Sequence, residues 1–102
     1  MAFVKLAETS DIPEGHGTYV DRDGRAVAIF NAGGGRFHAC SAVCPHEDGP
    51  LAEGWIEGAA VVCPWHGFDF DLETGRCLVD PDFAITIYPV RVVGTSVEVD
   101  LP

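Results

Sequence analysis

Cys44-Pro45-His46 and, after sixteen intervening residues, Cys63-Pro64-Trp65-His66 are the parts of this chain whose residue types and spacing could do chemistry. Each segment sets a thiol and an imidazole within three positions of one another beside a proline. A metal needs donors that converge to about 2.0 to 2.3 Å from one centre, and a tight loop with two donors supplies half of a four-ligand shell. A zinc finger more often offers a Cys pair and a His pair. A [2Fe-2S] centre with one iron on two thiolates and the other on two imidazoles takes one of each from each loop. The residue types leave two chemistries open, a structural Cys2His2 zinc module that acts as an interaction domain and an iron-sulfur centre. Cys40 and Cys77 lie outside the pattern and read as small buried thiols in strands. His16 and His38 read as surface or strand residues.

These segments need a scaffold, and its pattern is that of strands. Twelve Gly and seven Pro cut the chain into short pieces with almost no helical periodicity. β-branched and aromatic residues fill the intervals, as in a small all-β sandwich or barrel. Phe3 to Leu6 reads as a first strand, and Asp11-Ile12-Pro13-Glu14-Gly15 as a loop. Thr18-Tyr19-Val20 leads through Asp21-Arg22-Asp23-Gly24 into Arg25 to Phe30, and the Asp-Gly pair predicts a hairpin turn. Gly33-Gly34-Gly35 supplies the next reversal before a strand from Arg36 to Cys40. Ala84 to Tyr88 and Ser96 to Leu101 both alternate apolar with polar residues, which predicts an antiparallel pair with one wet face. Between Ala42 and Asp82 only short strands fit, around Ala60 to Val62 and Phe68 to Asp71, so both Cys/His segments fall on loops. No repeat or linker divides the chain. It reads as one domain over residues 1–102, with the metal-binding region at about 40–82.

The order and spacing of the four donors resemble those of the Rieske iron-sulfur family, Cys-x-His followed by Cys-x-x-His. The likeness runs through Cys44-Pro45-His46-Glu47-Asp48-Gly49-Pro50-Leu51, through Cys63-Pro64-Trp65-His66-Gly67-Phe68-Asp69-Phe70-Asp71 and on to Thr74-Gly75. It implies a small antiparallel β-sandwich that carries a cluster-binding subdomain of two loops. It makes Cys44 and Cys63 the ligands of an inner iron, and His46 and His66 those of an outer, more exposed iron, in one [2Fe-2S] cluster. Respiratory members of the family carry a further Cys in each loop, forming a disulfide. Gly49 and Trp65 stand at those positions here, so the resemblance implies no such bridge. Phe68 and Phe70 stand where those members have a Ser and a Tyr that hydrogen-bond to cluster sulfurs. The lost donors place the potential at the low end of the Rieske range, on the order of −150 mV. Pro81 is expected in a third loop over the cluster. Gly49, Gly54, Gly67 and Gly75 are expected to permit turns and close backbone approach.

The resemblance further implies an electron carrier, because such an oxidised cluster is formally neutral and one electron makes it singly negative. Four ligands leave no open coordination position, and no nucleophile and base are paired nearby. The narrower likeness is to Rieske-type ferredoxins that pass electrons from a flavin-containing NAD(P)H ferredoxin reductase to a terminal ring-hydroxylating oxygenase. The small subunit of a nitrite-reductase-like complex is the alternative. Pro45, Pro50, Leu51, Pro64 and Trp65 are expected to form an apolar apron at the docking face, with Trp65 and Leu51 also shielding the cluster. Six Lys and Arg against sixteen Asp and Glu give a formal charge of −10. That makes nucleic acid and anionic membranes poor partners and favours a basic protein face, with Glu47, Asp48 and Glu53 steering the encounter. The longest apolar run, Ala59 to Cys63, is far too short to span a membrane. With no export signal, the expectation is a cytoplasmic monomer that forms transient complexes.

Overall fold

The computed structural model describes residues 3–45, 48–65 and 67–101. In chain order their strands are β1 (Phe3–Glu8), β2 (Gly17–Arg22), β3 (Arg25–Gly33), β4 (Arg36–Ser41), β5 (Val43–Cys44), β6 (Gly49–Pro50), β7 (Trp55–Glu57), β8 (Ala60–Val62), β9 (Asp69–Asp71), β10 (Ile87–Tyr88), β11 (Val90–Val93) and β12 (Ser96–Asp100). Two single 3₁₀ turns, Thr9–Asp11 and Leu51–Glu53, complete the regular structure described. Every strand pairing is antiparallel. The fold is all-β, as the turn spacing predicts. No helix among the described residues is long and apolar enough to cross a membrane.

Strand β3 explains the layering. Val27, Ala28, Ile29 and Phe30 are all 0% exposed, although side chains along a strand point alternately to opposite faces. Both faces of the central sheet, β10-β4-β3-β2, must therefore be covered. Val27 and Ile29 pack with Ala39 against Ala7, Val97 and Val99 of the terminal sheet β1-β12-β11. Ala28 and Phe30 pack with Cys40 against a third layer, where Leu51, Val61, Phe70, Cys44 and Cys63 lie. The central sheet thus separates an ordinary apolar core from the one that holds the candidate ligands.

Turn chemistry fixes the registers. Asp23 and Gly24 have φ of 54° and 83°, the pair of positive values that a type I′ hairpin requires, and they join β2 to β3 with Arg22 opposite Arg25. The C-terminal pairing differs from the expectation. Ser96 to Leu101 does not pair with Ala84 to Tyr88; the partners of β12 are β1 and β11. Gly94, at φ 62°, closes a two-residue loop that puts Val93 opposite Ser96, so the nearer segment wins the register. The backbone of Ala84 to Tyr88 goes elsewhere. Ile85 N–H donates to the Gly75 carbonyl at 2.8 Å, Ser41 N–H to the Thr86 carbonyl at 2.9 Å, and Ile87 pairs with Cys40. This segment stitches the third layer to the edge of the central sheet.

Candidate metal centre

Two β-hairpin fingers rise from the third layer. In the first, Val43 pairs with Pro50 and Cys44 with Gly49. Below that pair, Leu51 N–H donates to the Ala42 carbonyl at 3.2 Å, and Ala42 N–H ties the finger to the Ala26 carbonyl of β3 at 3.1 Å. In the second, Ala60 pairs with Asp71, Val61 with Phe70 and Val62 with Asp69. One step further out, Cys63 N–H donates to the Phe68 carbonyl at 2.7 Å. Each cysteine therefore sits at the neck of a hairpin, Cys44 as the last residue of β5 and Cys63 directly after the end of β8.

Gly49 shows how close the necks come. It is the cross-strand partner of Cys44, and a β-carbon on it would stand 3.0 Å from the Cys63 sulfur and 3.3 Å from the Trp65 ring. Directly paired residues are about 4.5 to 5.5 Å apart at Cα. One side-chain-free residue therefore lies between the two cysteines. Cys44 and Cys63 are both 0% exposed. Two thiols held in an apolar layer, from two separate fingers, with a residue between them that a methyl group would crowd, fit the inner-iron half of the expected cluster. Gly54 contributes at the finger base, where a β-carbon would collide with the Val62 carbonyl oxygen. His46 and His66, the other expected ligands, and Glu47 lie outside the described residues. Their chain neighbours Pro45, Asp48, Trp65 and Gly67 are exposed, whereas the cysteine necks are buried.

The other two cysteines, Cys40 and Cys77, are buried. None of Cys40, Cys44, Cys63 and Cys77 is in a disulfide. Cys40 lies on β4 in the same apolar cluster, and burial pushes its thiol up to about 12. The Cys77 sulfur accepts the Asp80 N–H at 3.4 Å and so closes the loop that follows it. Phe68 and Phe70 both line the cluster-side core, with Phe70 0% exposed and Phe68 edge-on to Phe83 at a centroid distance of 6.0 Å. The Thr74-Gly75 portion of the motif is turn chemistry. Asp71 Oδ1 accepts the N–H groups of Glu73 and Thr74 at 2.7 and 3.2 Å, and Gly75, at φ 81°, donates to the Asp71 carbonyl at 2.7 Å.

The apron differs in part from its expected form. Pro45, Pro64 and Trp65 are exposed and Pro50 is half-buried, but Leu51 is 0% exposed and belongs to the core. The 3₁₀ turn after β6 rolls its side chain inward, against the central sheet. Asp48 and Glu53 are exposed, and so is Pro81 on the third loop. Two residues that sequence reasoning passed over, Leu78 and Val79, are exposed on that same loop. An apolar pair in an acidic, turn-rich segment was the signal available for them. Away from the fingers, a cavity of about 340 Å³ is lined by Ala32, Arg36, His38, Gly58, Ala59 and Glu73. Burial, helped by the Arg36 charge, holds the His38 imidazole below its ordinary pKa, against the opposing pull of Glu73.

Comparison with known proteins extends the local likeness to the whole chain. Residues 2–89 match the family described as the Rieske [2Fe-2S] domain, which names iron-sulfur chemistry where residue types alone left zinc open. The chain is 39% identical over 95 residues to a 3-phenylpropionate/cinnamic acid dioxygenase ferredoxin subunit of Shigella boydii, covering 91% of this chain and 88% of that one. A ferredoxin solved in complex with the oxygenase of carbazole 1,9a-dioxygenase superposes with a TM-score of 0.82 at 28% identity, over 98% of this chain and 97% of that one. A protein assigned as the small subunit of an NADH-dependent nitrite reductase from Mycobacterium tuberculosis gives 0.89 at 26% identity, over 99% and 96%.

Proposed function

Because the chain belongs to the Rieske [2Fe-2S] domain family, we propose that it is the ferredoxin of a ring-hydroxylating oxygenase system, a one-electron carrier rather than an enzyme. Its cofactor is one [2Fe-2S] cluster. Cys44 and Cys63 would hold the inner iron from the finger necks, and His46 and His66 would hold the outer iron. The cluster supplies a one-electron couple with a unit change of charge. The protein's part is to keep water from the sulfur end, where both cysteines are buried, and to offer the tips to partners. Electrons come from a flavin-containing NAD(P)H reductase and leave to the terminal oxygenase. The chain acts as one cytoplasmic domain over 1–102 that meets its partners as a monomer, a setting that suits four cysteines outside any disulfide.

The likeness to a dioxygenase ferredoxin subunit through most of both chains carries this reading. The test is single turnover. Holoprotein reduced with dithionite is mixed with a substrate-loaded terminal oxygenase, and oxidation of the cluster and formation of hydroxylated product are followed together. Stoichiometric product supports the proposal, whereas a reduced cluster that the oxygenase leaves untouched overturns it. Cys44→Ser and His66→Ala are each expected to abolish the electron paramagnetic resonance signal of the reduced protein, and an intact signal would refute the ligand set. The nitrite-reductase subunit is the second reading, favoured by the fold match at 26% identity. Stable co-purification with a larger reductase subunit would select it.

A further inference from the structure

The two most exposed large hydrophobic residues described stand beside the second finger: Leu78 at 57% and Val79 at 59%. The segment that carries them runs antiparallel to β9. Cys77 bridges Phe70, and Leu78 N–H donates to the Asp69 carbonyl at 2.8 Å. The chain bends at Leu78 and Val79, and Phe83 beyond them meets Phe68 edge-on, so the loop stays beside the second finger, where Trp65 is 45% exposed.

This ridge is pinned in place. Besides the bond from Asp80 N–H to the Cys77 sulfur, Phe83 N–H donates to the Asp80 carbonyl at 3.1 Å and Asp82 N–H to Asp80 Oδ1 at 3.0 Å. Single exposed apolar side chains are ordinary. A neighbouring pair already fixed in position loses little entropy when a partner covers it. The surroundings are acidic, since residues 64–86 hold Asp69, Asp71, Glu73, Asp80 and Asp82 against Arg76 alone.

We propose that the Leu78-Val79 ridge, rimmed by Asp80 and Asp82, is the contact gripped by the electron-accepting oxygenase through a shallow apolar patch ringed with Lys and Arg. The inference rests on the oxygenase reading above and adds a recognition surface outside the ligand fingers. An apolar centre that sheds water, within a charged rim that steers approach, gives specificity without a large interface. A contact below about 1,200 Å² suits a carrier that must leave after each electron.

The test uses holoprotein reduced chemically, so that no reductase enters the assay, and reads the KM of the purified oxygenase for the reduced carrier. The double variant Leu78→Ser/Val79→Ser is expected to keep wild-type iron content, reduced spectrum and midpoint potential while its KM rises about tenfold. Asp80→Asn/Asp82→Asn is expected to lose part of the wild-type sensitivity of KM to salt. Val92→Ser/Val93→Ser alters an exposed apolar pair on β11 of the terminal sheet and is expected to leave KM unchanged. An unchanged KM in the ridge variant, or an equal rise in the β11 variant, overturns the ridge alone. Wild-type protein that delivers no electrons to the oxygenase overturns the ridge together with the reading beneath it.

Discussion

At Gly49 the chain keeps the two cysteine necks within reach of one another by having no side chain. Its φ is not positive, so replacing it tests space and not backbone strain. Gly49→Ala sets a methyl group 3.0 Å from the Cys63 sulfur, and overpacking of that kind typically costs about 1–3 kcal/mol. The variant is expected to unfold at lower urea and to bind less iron; wild-type values for both would mean that the necks do not converge at Gly49. The two Cys/His segments stood out in the sequence as candidates because residue type and order are themselves chemistry. Gly49 was legible as a position of turn and close backbone approach, but not as the seat between the two cysteines, since nothing local says which distant sulfur its Cα will meet. His38 offers a second residue-scale test. Its native pKa lies below the ordinary 6.5, so as pH falls through that value the unfolded chain takes up the proton first. Stability that is present above 6.5 is therefore lost as pH drops toward the native pKa. His38→Gln should remove this component, seen as a smaller difference between urea midpoints measured on either side of that pH. An undiminished difference would assign the effect to other groups.

The elements sort into those that local signals specify and those that only packing decides. The β2–β3 hairpin was legible because Asp-Gly is nearly a requirement of its turn. The C-terminal pairing was not. Ala84 to Tyr88 has the right alternation, but period two reports which face is buried and says nothing about which strand accepts the hydrogen bonds. For Leu51, only the apron reading is overturned; its core position is compatible with the shielding role also expected of it. Beside the first ligand loop it reads as part of a docking apron, and one 3₁₀ turn delivers it instead to the core, 0% exposed. The two roles predict different losses for Leu51→Ala. A core role costs about 2–5 kcal/mol, visible in urea unfolding of the holoprotein, with partner kinetics unchanged while the fold holds. An apron role would leave unfolding alone and weaken the encounter with the oxygenase, and that pattern would return Leu51 to the surface.

Charge acts on the whole molecule. A formal −10 spread over a small protein pulls a basic partner in and opposes the arrival of another negative charge. The first effect is a rate: electron delivery should slow as salt rises, and Asp48→Asn/Glu53→Gln, both exposed, should flatten that dependence; salt-independent delivery would remove steering from the account. The second effect is a potential, and two features push it the same way. The core around the necks is lined by Phe68 and Phe70, which have no hydroxyl to give a cluster sulfur, and Phe70 is fully buried. Donors to sulfur stabilise the reduced state, so their absence favours the oxidised one, as does the carboxylate-rich surface. The expected midpoint is on the order of −150 mV, at the low end of the Rieske range. A dye-mediated titration of the holoprotein, followed by its visible spectrum, measures it. A value above about +100 mV would mean that donors other than these two side chains set the couple, and Phe70→Tyr would then leave the midpoint unmoved instead of raising it.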